Sequence, residues 1–249
     1  MSPRASSRRC GRMPIRLSKV DSYCDIYGSR ASFVQRQTTP KAVAMTISPL
    51  VARPVPLPDA DSAVAAILAV HELRYPGEAH HADRVARVAL ELTAMIRPGL
   101  AATDGIGHAY LLHDVGNLGI PDEILVKPDV LTPVELRVVQ THTTLGEELV
   151  RRLRFLSPLV RDVVACHHER WDGHGYPRQI AADQIPLAAR ILAVVDAYDA
   201  MTHDRPYRDA LPTNWALAEL KRCAGTQFDP VIVEAFLQLQ QAASTPAAS

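Results

Sequence analysis

Beyond residue 58, apolar residues recur three and four positions apart, the spacing that gathers them on one face of an α-helix. Within 79–96 the stripe is Val85, Val88, Ala89 and Leu92. Asp61 or Ser62 can cap a helix through Val70, since a short oxygen side chain accepts from the free N–H groups of a first turn. Thr132-Pro133-Val134-Glu135 joins a capping box to a first-turn proline and predicts a helix over 132–153. Apolar runs at 109–112 and 163–166 read as buried helical segments, and 186–201, 212–223 and 230–240 as further helices. Neither a period-two strand pattern nor an internal repeat occurs. The predicted fold is all-α, a bundle of about seven helices.

Residues 1–58 carry no sustained period and finish in Pro54-Val55-Pro56-Leu57-Pro58, so they read as an irregular or disordered arm, with Met45 as an alternative start. The expected organisation is this arm, a helical unit over 59–242 and a short disordered tail over 243–249. Residues 1–44 hold nine Lys/Arg against Asp21 and Asp25, a balance of +7, and because the chain as a whole is neutral the remainder carries −7. Overall neutrality argues against a DNA partner or a membrane surface. The apolar stretch 63–70 falls far short of the roughly 18–20 residues a membrane span needs. Cys10, Cys24, Cys166 and Cys223 are scattered without CxxC spacing and follow no signal-peptide pattern, which fits a reducing cytoplasm.

Histidine points to chemistry. Seven of the ten, His80, His81, His113, His142, His167, His168 and His174, fall in suggestive contexts from residue 80 onward. His113-Asp114 follows the apolar run Ala109-Tyr110-Leu111-Leu112, and His167-His168 follows Val163-Val164-Ala165-Cys166. Adjacent side chains diverge by about 100° on a helix, so such a pair can serve neighbouring metals. Asp196 and Asp199 lie three apart in a helix rich in Leu, Ile, Ala and Val, so both project from nearly one face. Ionised carboxylates there are costly unless paired or coordinated. Mixed imidazole and carboxylate donors suit Fe, Mn or Zn better than Mg or Ca. Two such ions a few ångströms apart serve phosphodiester hydrolysis by clamping the attacking and leaving oxygens. A Walker loop, a GxSxG elbow and an HExxH helix are all missing, which weighs against NTPase, serine-hydrolase and metalloprotease chemistry.

The order of these motifs resembles the HD-GYP family. The match runs from His113-Asp114-Val115-Gly116 and Gly119-Ile120-Pro121-Asp122 through His142 to His167-His168-Glu169-Arg170-Trp171-Asp172-Gly173-His174-Gly175-Tyr176-Pro177. It continues with Asp196-Ala197-Tyr198-Asp199-Ala200-Met201-Thr202, Arg205-Pro206-Tyr207-Arg208 and Phe228-Asp229-Pro230, covering more than half the chain. The resemblance implies an HD-type helical bundle and a cyclic di-GMP phosphodiesterase with a bi- or trinuclear iron or manganese centre. It implies His81, His113, Asp114, His142, His167, His168 and Asp196 as metal ligands, with Asp114 bridging and the pair His113-Asp114 at the catalytic heart. Asp199 would support the ligands through hydrogen bonds. Arg205 and Arg208 resemble the residues that hold phosphate or guanine, a task suited to guanidinium forks. Tyr176 belongs to the GYP loop, which is either a substrate contact or a turn set by Gly173, Gly175 and Pro177.

The sequence departs from the family pattern in three places. Asn117 stands where a Lys usually follows the HD motif, replacing a cation near the substrate with a neutral amide donor. Gly77 stands where trinuclear members place a Glu, with Glu78 one residue out of step, so two divalent ions are expected. Arg178-Gln179-Ile180-Ala181-Ala182-Asp183 lacks the family's usual glycines. Three readings follow: an active enzyme releasing linear pGpG and then GMP, a sensor that binds cyclic di-GMP and acts through signalling protein partners, and a phosphohydrolase for another nucleotide.

Overall fold

A computed structural model of the chain describes residues 59–127, 129–204 and 209–244. The arm, the last five residues, and the expected substrate residues Arg205 and Arg208 lie outside them. Among the described residues, eleven α-helices follow one another: α1 (Ala60–Arg74), α2 (Glu78–Ile96), α3 (Pro98–Ala101), α4 (Ile106–Leu111), α5 (Asp122–Leu125), α6 (Pro133–Gln140), α7 (His142–Arg152), α8 (Pro158–Cys166), α9 (Leu187–Thr202), α10 (Thr213–Arg222) and α11 (Pro230–Ser244). No strand occurs among the described residues, so the all-α expectation holds. The count exceeds seven partly because α3, α4 and α5 are single short turns of helix.

The other reason is a break inside the helix expected over 132–153. The capping box at its start forms as read: Glu135 N–H donates to the Thr132 hydroxyl, and the Thr132 N–H donates to the Glu135 carboxylate. At Thr141, however, the side chains compete with the helix for its carbonyls. The Thr141 hydroxyl donates to Val138 O at 2.6 Å, His142 Nδ1 lies 2.7 Å from Val139 O, and the Thr143 hydroxyl donates to Gln140 O. These carbonyls would otherwise accept the next intrahelical bonds, so α6 ends and α7 begins afresh. At the first helix the cap is Asp59, whose carboxylate accepts from Ser62 N–H, two residues before the expected start. The helix also runs one turn beyond Val70, to Arg74.

α9 lies at the centre, packing against α2, α8, α10 and α11. Nearly its whole circumference is buried, from Ala188 and Ile191 to Val194, Val195 and Ala200, as befits a helix apolar all round. α2 turns Ala82, Val85, Ala86, Ala89 and Leu92 toward it, the predicted stripe with its neighbours. In α11, Phe236 is fully buried and meets the Tyr198 ring edge-on at 5.0 Å. Asp196 and Asp199 sit on this central helix, so their carboxylates are held inside the bundle. None of the described helices is long and apolar enough to cross a membrane.

Candidate metal centre

The helix ends prepare the histidines. Each α-helix leaves its last carbonyls without an intrahelical partner, and here imidazoles use them. His113 Nδ1 lies 2.8 Å from Tyr110 O after α4, His142 Nδ1 2.7 Å from Val139 O after α6, and His167 Nδ1 2.9 Å from Val164 O at the end of α8. A carbonyl can only accept, so each Nδ1 carries the proton and each Nε2 keeps its lone pair. His81 anchors its ring on a different partner, its Nδ1 lying 2.7 Å from Asp199 Oδ2, while a cation would have to take the place of the proton that Asp196 favours on its Nε2. Asp199 in turn accepts a two-pronged pair from Arg84, at 2.8 and 2.9 Å. Arg84, at a helical spacing of three from His81, went unremarked in the sequence although Arg beside a ligand histidine is a natural anchor for a supporting carboxylate.

Asp114 stands between two groups of these atoms. Its Oδ1 is 3.4 Å from His142 Nε2 and 3.4 Å from His167 Nε2, while its Oδ2 is 3.6 Å from His113 Nε2. The ligand atoms of Asp114, His142, His167 and His168 lie within 4.8 Å of one another, as do those of His81, His113 and Asp196. All seven expected ligand residues are thus brought together. A third grouping joins Glu78 with His81 and Asp114, so the one-residue offset of Glu78 does not remove it from the centre. Helix α2 starts at Glu78, and its first turn still faces inward.

Burial and charge are balanced accordingly. Burial alone would lower the His81 pKa, but Asp196 and Asp199 outweigh it and raise it to about 10. Burial lowers His142 to about 4 against the pull of Asp114, and holds His168 well below the ordinary imidazole range. Burial pushes Asp114 upward, yet the surrounding histidines win and leave it well below the usual carboxylate range. Asp199 is lowered too, because bonds from His81 and Arg84 exceed its burial cost. The donor set fits divalent cations: His113 Nε2 is buried without a hydrogen-bond partner, and His81 Nε2 faces Asp196 Oδ1 at 3.2 Å in the same grouping. Neutral imidazoles and ionised carboxylates are the forms that ligate.

Two glycines allow the close approach. A Cβ on Gly116 would sit 1.8 Å from the His142 carbonyl oxygen, so only glycine lets the 3₁₀ turn Val115–Gly119 lie on the start of α7. A Cβ on Gly175 would meet Arg170 N at 2.3 Å, so the GYP loop folds flat on the segment after α8. That loop carries Tyr176 onto the site, its ring stacked on His168 at 4.9 Å. Beside it opens a cleft lined by Gln140, His167, His168, Arg170, Tyr176, Asp196 and Gln227. Gln140, Arg170 and Gln227 in this lining were not singled out from the sequence. Asn117 is buried behind the centre, its carbonyl accepting from the Tyr75 hydroxyl, and it does not line this cleft. His80 is exposed.

Residues 64–232 match the family model described as HD domain. A cyclic di-GMP phosphodiesterase from Thermotoga maritima is 42% identical over 139 residues, covering 55% of this chain and 37% of its own. A 3'3'-cGAMP-specific phosphodiesterase from Vibrio cholerae is 37% identical over 159 residues, covering 64% of this chain and 30% of its own. The chain therefore spans only about a third of the length of these relatives. Among solved structures, an HDG"Y"P protein from Bdellovibrio bacteriovorus superposes with a TM-score of 0.55 at 18% identity, covering 73% of this chain and 59% of that one, a likeness of fold.

Proposed function

We propose that this chain, which belongs to the HD domain family, is a metal-dependent phosphodiesterase that opens cyclic di-GMP to linear pGpG and carries it on to GMP. The observation that carries the reading is the division of Asp114: one carboxylate oxygen faces His142 and His167, the other faces His113. A carboxylate so placed would offer one oxygen to each of two cations. His81, His113 and Asp196 would hold one and His142, His167 and His168 the other; the mixed imidazole and carboxylate donors suit a transition metal, and the family resemblance assigns iron or manganese. Bound, the pair would supply Lewis acidity toward phosphoryl oxygens and a lowered pKa for water.

The chain's own residues orient and select. Asp199 and Arg84 fix the His81 ring, and three backbone carbonyls fix the other rings, so no reorganisation is needed when charge develops. The cleft offers Tyr176 as a flat wall, beside Arg170, whose guanidinium is held by Asp172. Arg205 and Arg208 are assigned to its phosphate or guanine by the family resemblance. Related phosphodiesterases of both cyclic di-GMP and 3'3'-cGAMP support a cyclic dinucleotide and make 3'3'-cGAMP the second reading.

The test uses the full chain, stripped of metal, reloaded with Mn(II) or Fe(II) and incubated with each dinucleotide, with products separated by chromatography. Linear pGpG released faster from cyclic di-GMP is expected. Preference for 3'3'-cGAMP selects the second reading. Binding of either without turnover under both metals would overturn the enzyme and leave the sensor that Asn117 first suggested.

A further inference from the structure

We propose that Glu169 is a positioning residue: its buried carboxylate holds the turn after the GYP loop in a left-handed conformation that the turn's own side chains resist, and so fixes Tyr176 on the wall of the cleft. The inference deepens the phosphodiesterase reading above and rests on it for the role of Tyr176. Glu169 is 4% exposed and, among the described residues, belongs to none of the groups of coordinating atoms, so its charge is answered elsewhere. A carboxylate buried to that degree is costly unless donors surround it. Its donors come from the turn. Oε1 accepts from the Arg178 N–H at 2.6 Å, nine residues along the chain. Burial pushes the Glu169 carboxyl upward, and the amides of Arg178, Ile180 and Gln179 draw it back. Successive N–H groups in such a turn form an anion-binding concavity, here filled by the chain's own side chain.

The turn needs that hold. Segment 178–183, which lacks the family's usual glycines, takes a positive φ twice, 54° at Gln179 and 49° at Ala182. A Cβ makes this region unfavourable, and backbone of this kind persists only where surrounding contacts over-determine it. Three contacts do so here: the Glu169 carboxylate, the Ala182 N–H donating to Trp171 O at 3.0 Å, and the Arg178 guanidinium reaching Glu147 of α7 at 2.8 Å. The Arg178–Glu147 pair is partly open to solvent and therefore weak. The buried carboxylate is the stronger restraint.

Tyr176 stands two residues before Arg178 and is carried by the same segment. Its N–H donates to His168 O at 3.2 Å, and its ring stacks on His168. Gly175 lies so close to Glu169 Cα that a Cβ would sit 2.5 Å from it. One stretch of backbone therefore passes over Glu169 twice, at Gly175 and at Arg178, with Tyr176 between. Loss of the second fastening would leave the ring tethered from one side.

The experiment compares the Mn(II)-loaded full chain with Glu169→Ala, Glu169→Gln, and Glu169→Ala combined with Ala182→Gly. Trypsin cleavage between Arg178 and Gln179, both exposed, is followed by mass spectrometry, beside Mn(II) content and KM and kcat for cyclic di-GMP. Glu169→Ala should be cut there about tenfold faster than wild type, the scale of one bond to a charged acceptor when cleavage reports the open population. Its Mn(II) content should be unchanged, and its KM should rise more than its kcat falls. Glu169→Gln, whose carbonyl still accepts, should stay within about threefold of wild type. Adding Ala182→Gly, which leaves both residues of the cleaved bond unaltered, should recover about threefold of the loss by removing strain at that position. Equal cleavage in wild type and Glu169→Ala overturns the inference, as does faster cleavage that Ala182→Gly leaves untouched. Loss of Mn(II) from Glu169→Ala would place the residue in the metal centre and overturn it too. If wild type turns over no cyclic dinucleotide, the phosphodiesterase reading falls, and the cleavage rates still decide the hold on the turn. Should Glu169→Ala not fold, Glu169→Asp, shorter by one methylene, decides: wild-type cleavage in it overturns the role.

Discussion

At His142 a single ring shows how the interior sets protonation. Burial drives its pKa to about 4, whereas in the unfolded chain it is about 6.5. Between these values the unfolded chain binds a proton that the folded chain refuses, so stability rises with pH across that window. His168 is shifted the same way by burial. His81, raised to about 10, is protonated in both states below about 6.5 and adds no slope there; its stabilisation is lost only as pH climbs from about 6.5 to 10. Metal-stripped protein should therefore lose on the order of 3 kcal/mol through His142 between about pH 6.5 and 4. Urea unfolding at constant ionic strength measures this, and a flat profile would contradict it. Arg84 offers a second residue-scale check. Arg84→Leu removes both bonds to Asp199 and frees the His81 ring, so Mn(II) affinity should fall about 10–100-fold with helix content unchanged. Unaltered affinity would mean that His81 is oriented by packing alone.

Among the elements, the ends of helices matter more than their middles. α4, α6 and α8 finish where His113, His142 and His167 capture carbonyls, so the interruptions that shorten these helices are the same contacts that aim the ligands. The sequence pattern reported the helices well and their breaks poorly, since a 3.6-residue period cannot register a competition between a threonine hydroxyl and the next N–H. Crossing of the 3₁₀ turn over α7 depends on the absence of a side chain at Gly116. Gly116→Ala would drive a methyl into the His142 carbonyl, and a cost of about 3 kcal/mol is expected from overpacking, with Mn(II) content falling alongside. Thermal unfolding and metal analysis of the same sample test the two effects together. Wild-type values in both would show that α7 can retreat.

For the molecule as a whole, α9 ties core to chemistry: one helix carries Ile191, Val194 and Val195 into the packing and Asp196 and Asp199 into the centre. Cations bound there would hold α2, α7, α8 and α9 together in the folded state alone. Chelation should lower the unfolding temperature, and Mn(II) at about 100 times its Kd should restore about 2.7 kcal/mol. A calorimetric scan with and without chelator reads this directly, and identical scans would argue that the site is preformed but empty of binding energy. Removing core far from the metals should act differently. Phe236→Ala is expected to cost about 3–5 kcal/mol while Mn(II) affinity per folded molecule stays the same.

Periodicity was enough to read an all-helical bundle, and the family resemblance nominated His81, His113, Asp114, His142, His167, His168 and Asp196, whose donor atoms the fold gathers into two groups; both signals are local in the chain. Residues joined only by folding were beyond that reach. Glu78 was set aside for a one-residue offset that the first turn of α2 absorbs, and Gln140, Arg170 and Gln227 meet in one cleft from three separate segments. Spacing along a chain states which residues can share a face; which faces meet, and therefore which atoms lie within coordinating distance, is decided by the packing of the helices around α9.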